Sequence, residues 1–195
     1  MRETLAKLTT NVLNPFLASF IVIVLLAFKA TASTTEAVKW ASISISLSIL
    51  PVLAVVIYLV RRKKLDGVFV NPRQQRTWIY LLASALGATG YGLLWYLKAP
   101  ELLVVTFAAG LTAIVVFMGI NLFWKISLHT AFVSGAVAVL IIVYGAAAAW
   151  TIILLPPVIW ARMELKQHSV VQVAAGAILA AAIFICVFWG FGVVG

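Results

Sequence analysis

The chain has 195 residues, of which 65% are hydrophobic and only 10% charged, with a mean hydropathy of +1.16. A soluble domain is roughly 45–50% apolar and about 25% charged, so the composition excludes an ordinary soluble enzyme and identifies a polytopic membrane protein. The net charge of +9 does not mark a nucleic-acid binder, because Lys and Arg gather at the ends of apolar runs, where they set topology and meet lipid headgroups.

Arg2 and Lys7 precede the first apolar run, residues 14–29, which Asn14-Pro15 opens. Ala30-Thr31-Ala32 has the form of a signal-peptidase site. Lys29 places a charge directly before it, so this run is expected to remain as a membrane crossing. A second run covers 40–60, and a polar, basic segment from Arg61 to Arg76 separates it from a third at 77–97. Pro100 precedes the fourth, 102–124. From 127 to 161 the only side chain that can carry charge is His129. A single helix there would be about 50 Å long, too long for a hydrocarbon core of about 30 Å. Division at Tyr144-Gly145 yields runs 127–144 and 146–161, with Pro156-Pro157 expected to kink the latter near its end. The last run is 168–193 and holds the lone Cys186, so no disulfide forms within the chain.

The predicted fold is therefore an all-α transmembrane bundle, a single integral membrane domain over 1–195. It has seven helices with that division and six without it. Asn121 and Ser134 read as interhelical hydrogen bonds, and Gly110, Gly135, Ala175 and Gly176 as points of close helix packing. Trp78, Trp95, Trp124, Trp150 and Trp160 read as an aromatic belt.

With seven crossings, the N-terminus and the loops after the second, fourth and sixth helices share one side. That side carries Arg2, Lys7, Arg61, Arg62, Lys63, Lys64, Arg73, Arg76, Lys125, Arg162 and Lys166, against Lys29, Lys39 and Lys98 on the other. The positive-inside rule places the basic side in the cytoplasm, so the expected location is the inner membrane. The same parity gathers Asp66, Ser127, His129, Glu164, His168 and Gln172 on that face. Each histidine lies at the start of an apolar helix, where unpaired N–H groups favour an anion. Two histidines, several arginines and two helix N-termini read together as a phosphate site. Carboxylates are too scarce for a divalent-metal site of Asp and Glu.

The segment "ARMELKQHSVVQ", residues 161–172, resembles the third motif of the type 2 phosphatidic acid phosphatase superfamily of lipid phosphatases and haloperoxidases. That motif is Ser-Arg, five residues, His, three residues, Asp. Arg162 and His168 match, with Ala161 for the Ser and Gln172 for the Asp. "KISLHTA" is similar to the second motif, Pro-Ser-Gly-His, with Ser127 and His129 at the right separation, Ile126 for Pro and Leu128 for Gly. "KKLDGVFVNPRQQR" echoes the first, a Lys, six residues, then Arg-Pro, through Lys64, Arg73 and Arg76, without its spacing.

The resemblance implies His168 as the nucleophile that forms a phosphohistidine and His129 as the acid for the leaving alcohol. It implies Arg162, Arg73, Arg76 and, more weakly, Lys64 as phosphoryl ligands, with Ser127 as a hydroxyl donor. It implies no metal and no cofactor. Gln172 lies one helical turn from His168 and can orient it, but without the negative charge of the family's Asp. Asp66 or Glu164 is the candidate to supply that charge. The expected function is hydrolysis of a lipid or polyprenyl phosphate or diphosphate, with membrane lipids as the surroundings. The alternative is an inactive or weakly active lipid-binding or transport protein on the same scaffold.

Overall fold

The computed structural model describes residues 1–69 and 72–193. Among these the chain is helical without a strand: α1 (Arg2–Val12), α2 (Pro15–Ala30), α3 (Thr34–Arg61), α4 (Arg73–Tyr96), α5 (Glu101–Asn121), α6 (Leu128–Tyr144), a 3₁₀ helix (Gly145–Leu154), α7 (Leu155–Glu164) and α8 (Val170–Gly190). Among the described residues six helical segments are long and apolar enough to cross a membrane: Arg2–Ala30, Thr34–Arg61, Arg73–Tyr96, Glu101–Asn121, Leu128–Glu164 and Val170–Gly190. The chain is an all-α integral membrane protein. It forms two compact units, Met1–Val22 with Lys125–Gly195, and Ile23–Trp124.

In the Ile23–Trp124 unit, α4 packs against both α3 and α5. α3 starts at Thr34, six residues before the expected 40, because the Ser33 hydroxyl accepts a hydrogen bond from the Glu36 N–H at 3.2 Å. Asn121 makes the expected interhelical bond: its Nδ2 donates to the Arg73 carbonyl (3.2 Å) and to Thr77 Oγ1 (3.3 Å), tying the end of α5 to the first turn of α4. Gly90 lets Phe107 of α5 close on α4, since a Cβ there would lie 2.8 Å from the ring. Gly110, expected at a close contact, faces open space instead.

The other unit departs from the sequence-based expectation at two points. The first is α1, a helix ahead of the expected first run. Its charged and threonine-rich composition hid it, and its Ala6 and Thr10 are buried, with α1 lying on α7. The chain breaks at Leu13-Asn14. Pro15 opens α2, and Asn14 caps it by accepting from the Leu17 N–H (2.9 Å) while donating to the Asn11 carbonyl (2.7 Å). The second is Pro156-Pro157, which stand in the first turn of α7 and not near the end of a helix. Proline is tolerated there because the first-turn N–H groups have no intrahelical partner.

The long stretch Leu128–Glu164 folds back on itself at Gly145. That residue has φ 65° and ψ −148°, a combination essentially restricted to glycine. Both the 3₁₀ helix and α7 pack against α6. Val133 and Val137 of α6 share a buried cluster with Val158 of α7, surrounded by Leu13, Ile141, Leu154 and Leu155. No straight rod could bring these together. The 17 residues of α6 rise about 25 Å. The returning arm adds 10 residues of 3₁₀ helix, about 20 Å, to 10 of α-helix, about 15 Å. The stretched 3₁₀ geometry thus gives a 20-residue arm the length of a full crossing. A 3₁₀ run this long is uncommon, and apolar patterning alone does not distinguish it from an α-helix.

Four helices among the described residues end in one device, α8 with Gly192 and three others with a lysine. Lys63, Lys98 and Lys166 each adopt positive φ just past α3, α4 and α7. In each case the lysine N–H and the next residue's N–H return to carbonyls in the last turn, a Schellman closure. Glycine is the usual residue there. Lysine carries a left-handed strain of about 1–2 kcal/mol, partly offset by placing a cation at the negative end of the helix.

Candidate functional site

The Schellman closure of α7 builds the first half of the site. Arg162 stands in the last turn of α7, and its carbonyl accepts from the N–H groups of both Gln167 (3.2 Å) and His168 (3.3 Å). The six-residue interval from Arg162 to His168 is therefore a folded turn closed on one oxygen. Lys125 Nζ donates to the Gln167 carbonyl at 2.9 Å and holds this turn from the α5–α6 connection. The Arg162 side chain is 2% exposed, unusual for a guanidinium and a sign that it is held by polar partners.

The N-terminus of α8 builds the second half. Ser169 and Gln172 form a capping box: Ser169 Oγ accepts from the Gln172 N–H (3.4 Å), and Gln172 Oε1 accepts from the Ser169 N–H (3.2 Å). His168 Nδ1 lies 3.1 Å from the same Oε1. The backbone N–H of Ser169 can only donate, so it fixes which end of the Gln172 amide is the oxygen. An amide oxygen can only accept, so His168 Nδ1 carries the proton. A neutral imidazole in that state has its lone pair on Nε2.

The start of α6 lies against this turn. The Ser127 N–H donates to the Gln172 carbonyl at 3.3 Å, and the Ser127 carbonyl accepts from Ala131 N–H (3.1 Å) and Thr130 Oγ1 (3.0 Å). Ser127 is the N-cap residue of α6, yet its hydroxyl makes no cap bond. That hydroxyl is buried with no hydrogen-bond partner among the described residues. His129, in the first turn of α6, is 4% exposed and His168 7%. Further along the pair, Ser134 Oγ donates to the Ala177 carbonyl at 2.7 Å, the expected interhelical bond.

One unit thus holds Ser127, His129, Arg162, His168 and Gln172. The first turn of α6, the last of α7 and the first of α8 lie at one end of it. Glu164 is half-buried in the same unit; the Nδ1 of His168 is occupied by Gln172. Lys64, Asp66, Arg73 and Arg76 belong to the Ile23–Trp124 unit. Lys64 and Asp66 are exposed there, Arg73 donates from a guanidinium nitrogen to the Phe123 carbonyl (2.8 Å), and Arg76 is buried in the first turn of α4. The sequence places Lys125 on the site face without a role there, and gives Ser169 and Lys166 no part in the site. Ser169 was legible as Ser-x-x-Gln ahead of an apolar run, the capping-box pattern. The role of Lys125 and the place of Lys166 carried no such signal, because a carbonyl tether and a left-handed lysine have no sequence pattern of their own. Comparison with family models, curated proteins and solved structures finds no match to this chain.

Proposed function

We propose that this protein is a membrane-embedded phosphatase for a lipid or polyprenyl phosphate or diphosphate. The observation that carries the reading is the His168–Gln172 pair, which leaves a lone pair on Nε2 and so prepares His168 as a nucleophile. In the proposed reaction Nε2 attacks the terminal phosphorus, and the P–N bond forms as the bond to the lipid oxygen, or to the bridging oxygen of a diphosphate, breaks. Protonated His129 gives its proton to that oxygen, and the lipid alcohol leaves, or the lipid monophosphate where the substrate is a diphosphate. Water then attacks the phosphohistidine, passes a proton to His129 and frees inorganic phosphate with His168 restored. Arg162 offers a planar fork for two phosphoryl oxygens, and the Ser127 hydroxyl a further donor. Phosphoryl transfer depends mainly on such positioning and charge stabilisation. The positive-inside rule puts this end of the protein on the cytoplasmic face of the inner membrane.

The test is phosphate release by the purified protein from a panel of lipid phosphates. His168→Ala is expected to abolish turnover and any acid-labile phosphoenzyme. His129→Ala is expected to stop turnover but to leave phosphoenzyme formation from a substrate with a good leaving group. Arg162→Lys is expected to impair both steps, because an ammonium lacks the planar fork. Full activity in His168→Ala would exclude the mechanism.

One observation favours a second reading, a non-catalytic lipid-binding or transport protein. The α1–α2 break and the 3₁₀–α7 junction meet level with Val133–Ile141, the middle of α6, and interrupted helices near the midplane are a hallmark of transporters. The residues at this junction are Leu13, Leu154, Leu155 and Val158. An apolar junction offers no seat for a polar headgroup or an ion, whereas the polar end of the unit does. Lipid binding with no phosphate release from any substrate would decide for the second reading.

A further inference from the structure

We infer that Gly176 is a positioning residue: it sets the height at which the first turn of α8, with His168 and Gln172, rests on the start of α6. An ideal Cβ at Gly176 would lie 2.6 Å from the Ser127 carbonyl oxygen and 2.8 Å from Thr130 Oγ1. Both distances are shorter than real Cβ contacts allow. The neighbour at 2.6 Å is backbone and is fixed by the two hydrogen bonds it accepts, from Ala131 N–H and Thr130 Oγ1. It cannot rotate aside as a side chain would.

Gly135 gives the contrast within the same helix pair. A Cβ there would meet the Phe184 ring at 2.9 Å, a side chain that is free to tilt. Gly92, Gly110 and Gly119 meet nothing within 4 Å. Among the described glycines, Gly176 is the one whose added methyl would run into another helix's backbone.

The contact lies in line with the site. Gly176 is one turn beyond Gln172, so by α-helical geometry its N–H points to the Gln172 carbonyl. That same carbonyl accepts the Ser127 N–H at 3.3 Å. Ser127 is thus bonded to α8 through its N–H while its C=O rests on α8 at Gly176, and the Gln172 side chain carries His168 from the same turn. A methyl at 176 lifts α8 off Ser127 and carries His168 and Gln172 with it as a body, since the capping box is internal to α8 and its entry turn.

The catalytic consequence rests on the phosphatase reading above. A displacement of about 1 Å can cost on the order of 100-fold in rate, so Gly176→Ala is expected to lower kcat per folded protein 10- to 100-fold with KM changed less than threefold. The structural arm is independent of activity. The Ser127 amide, followed by hydrogen exchange with NMR on serine-labelled protein, is expected to exchange at least tenfold faster in Gly176→Ala. Ser134→Ala removes a hydrogen bond farther along the same helix pair and is expected to leave both readouts within twofold of wild type. If Gly176→Ala does not fold, the Gly176→Ala/Thr130→Ala double variant, which removes the hydroxyl at 2.8 Å, is measured in its place. Unchanged Ser127 exchange would overturn the inference, and so would faster exchange with full turnover. A wild-type protein that releases no phosphate would remove the phosphatase reading and leave the clamp to be decided by the exchange rate alone.

Discussion

His168 Nδ1 and Gln172 Oε1 lie 3.1 Å apart, and the Ser169 N–H shares that oxygen at 3.2 Å. One amide oxygen therefore closes the cap of α8 and holds the imidazole. The stability of the helix start and the orientation of the histidine are coupled through a single atom. Glutamine, like glutamate, suits the third position of a capping box.

The tautomer is the most direct consequence. Two-dimensional NMR of the protein with ¹⁵N-labelled histidine is expected to show His168 as the Nδ1–H form at neutral to alkaline pH. In Gln172→Ala the acceptor is lost, and the signal is expected to become a mixture in which the Nε2–H form, favoured for free imidazole, rises. A wild-type His168 found as Nε2–H would contradict the hydrogen-bond assignment.

The left-handed lysine that closes α7 has a separable effect on stability. Lys166 has φ 51°, so Lys166→Gly removes strain at the cost of a cation near the helix end. The net expectation is a gain of roughly 0.5–1 kcal/mol. Lys166→Val sets a β-branched side chain in the same conformation and is expected to lose about 1–2 kcal/mol. Thermal unfolding in detergent would show the two variants on opposite sides of wild type. Movement of both in the same direction would argue against strain at this turn.

These cases show what was legible in the sequence. The crossings were, because an apolar run between charged ends is a direct consequence of bilayer thickness. The reversal at Gly145 was also legible, because one rod through 127–161 exceeds the membrane. The distinction between 3₁₀ and α was not, since either helix can be built from the same apolar alanines and isoleucines. His168 and Gln172 meet as their spacing suggested, but not as neighbours on one helix: His168 precedes the Ser169 N-cap, and the Gln172 side chain reaches back to it through the capping box. The choice between Gly110, which meets open space, and Gly176, which touches backbone, did not follow. Both are small residues in apolar helices, and only the partner helix distinguishes them.

Sidedness is testable within one unit. The Arg162–His168 turn and Gly145 are at opposite ends of the hairpin made by α6 and its returning arm. Lys166 and Ala147 are exposed at those two ends. With Cys186 replaced, Lys166→Cys is expected to be protected from an impermeant maleimide in intact cells and labelled after lysis. Ala147→Cys is expected to label from outside. The opposite pattern would place the histidine end away from the cytoplasm and overturn the charge-based orientation.

Gln172 holds His168 with a neutral amide, without the charge of a carboxylate. In serine-protease triads, replacing the orienting Asp by Asn costs about 10⁴ in turnover, so a carboxylate beside a reacting imidazole can matter greatly. Gln172→Glu keeps the side-chain length and can still accept from the Ser169 N–H, so the cap and the Nδ1 contact are both expected to survive. Its carboxylate would stabilise the positively charged ring that forms as Nε2 bonds to phosphorus, and the limiting rate is expected to rise by roughly tenfold, well short of the triad effect because the site is built for an amide. The same charge also stabilises the protonated resting imidazole, which cannot attack. The acid limb of the activity profile is therefore expected to move to higher pH, so the gain appears on the alkaline side and shrinks or reverses below neutrality. Gln172→Asp is one methylene shorter. It is expected to lose the reach to Nδ1, to weaken the cap, and to gain less or nothing. Rate–pH profiles of the three proteins, normalised to folded protein, separate these effects. If Gln172→Glu folds normally and loses activity at every pH, the neutral amide is itself required, and the reaction differs in kind from one that builds positive charge on His168.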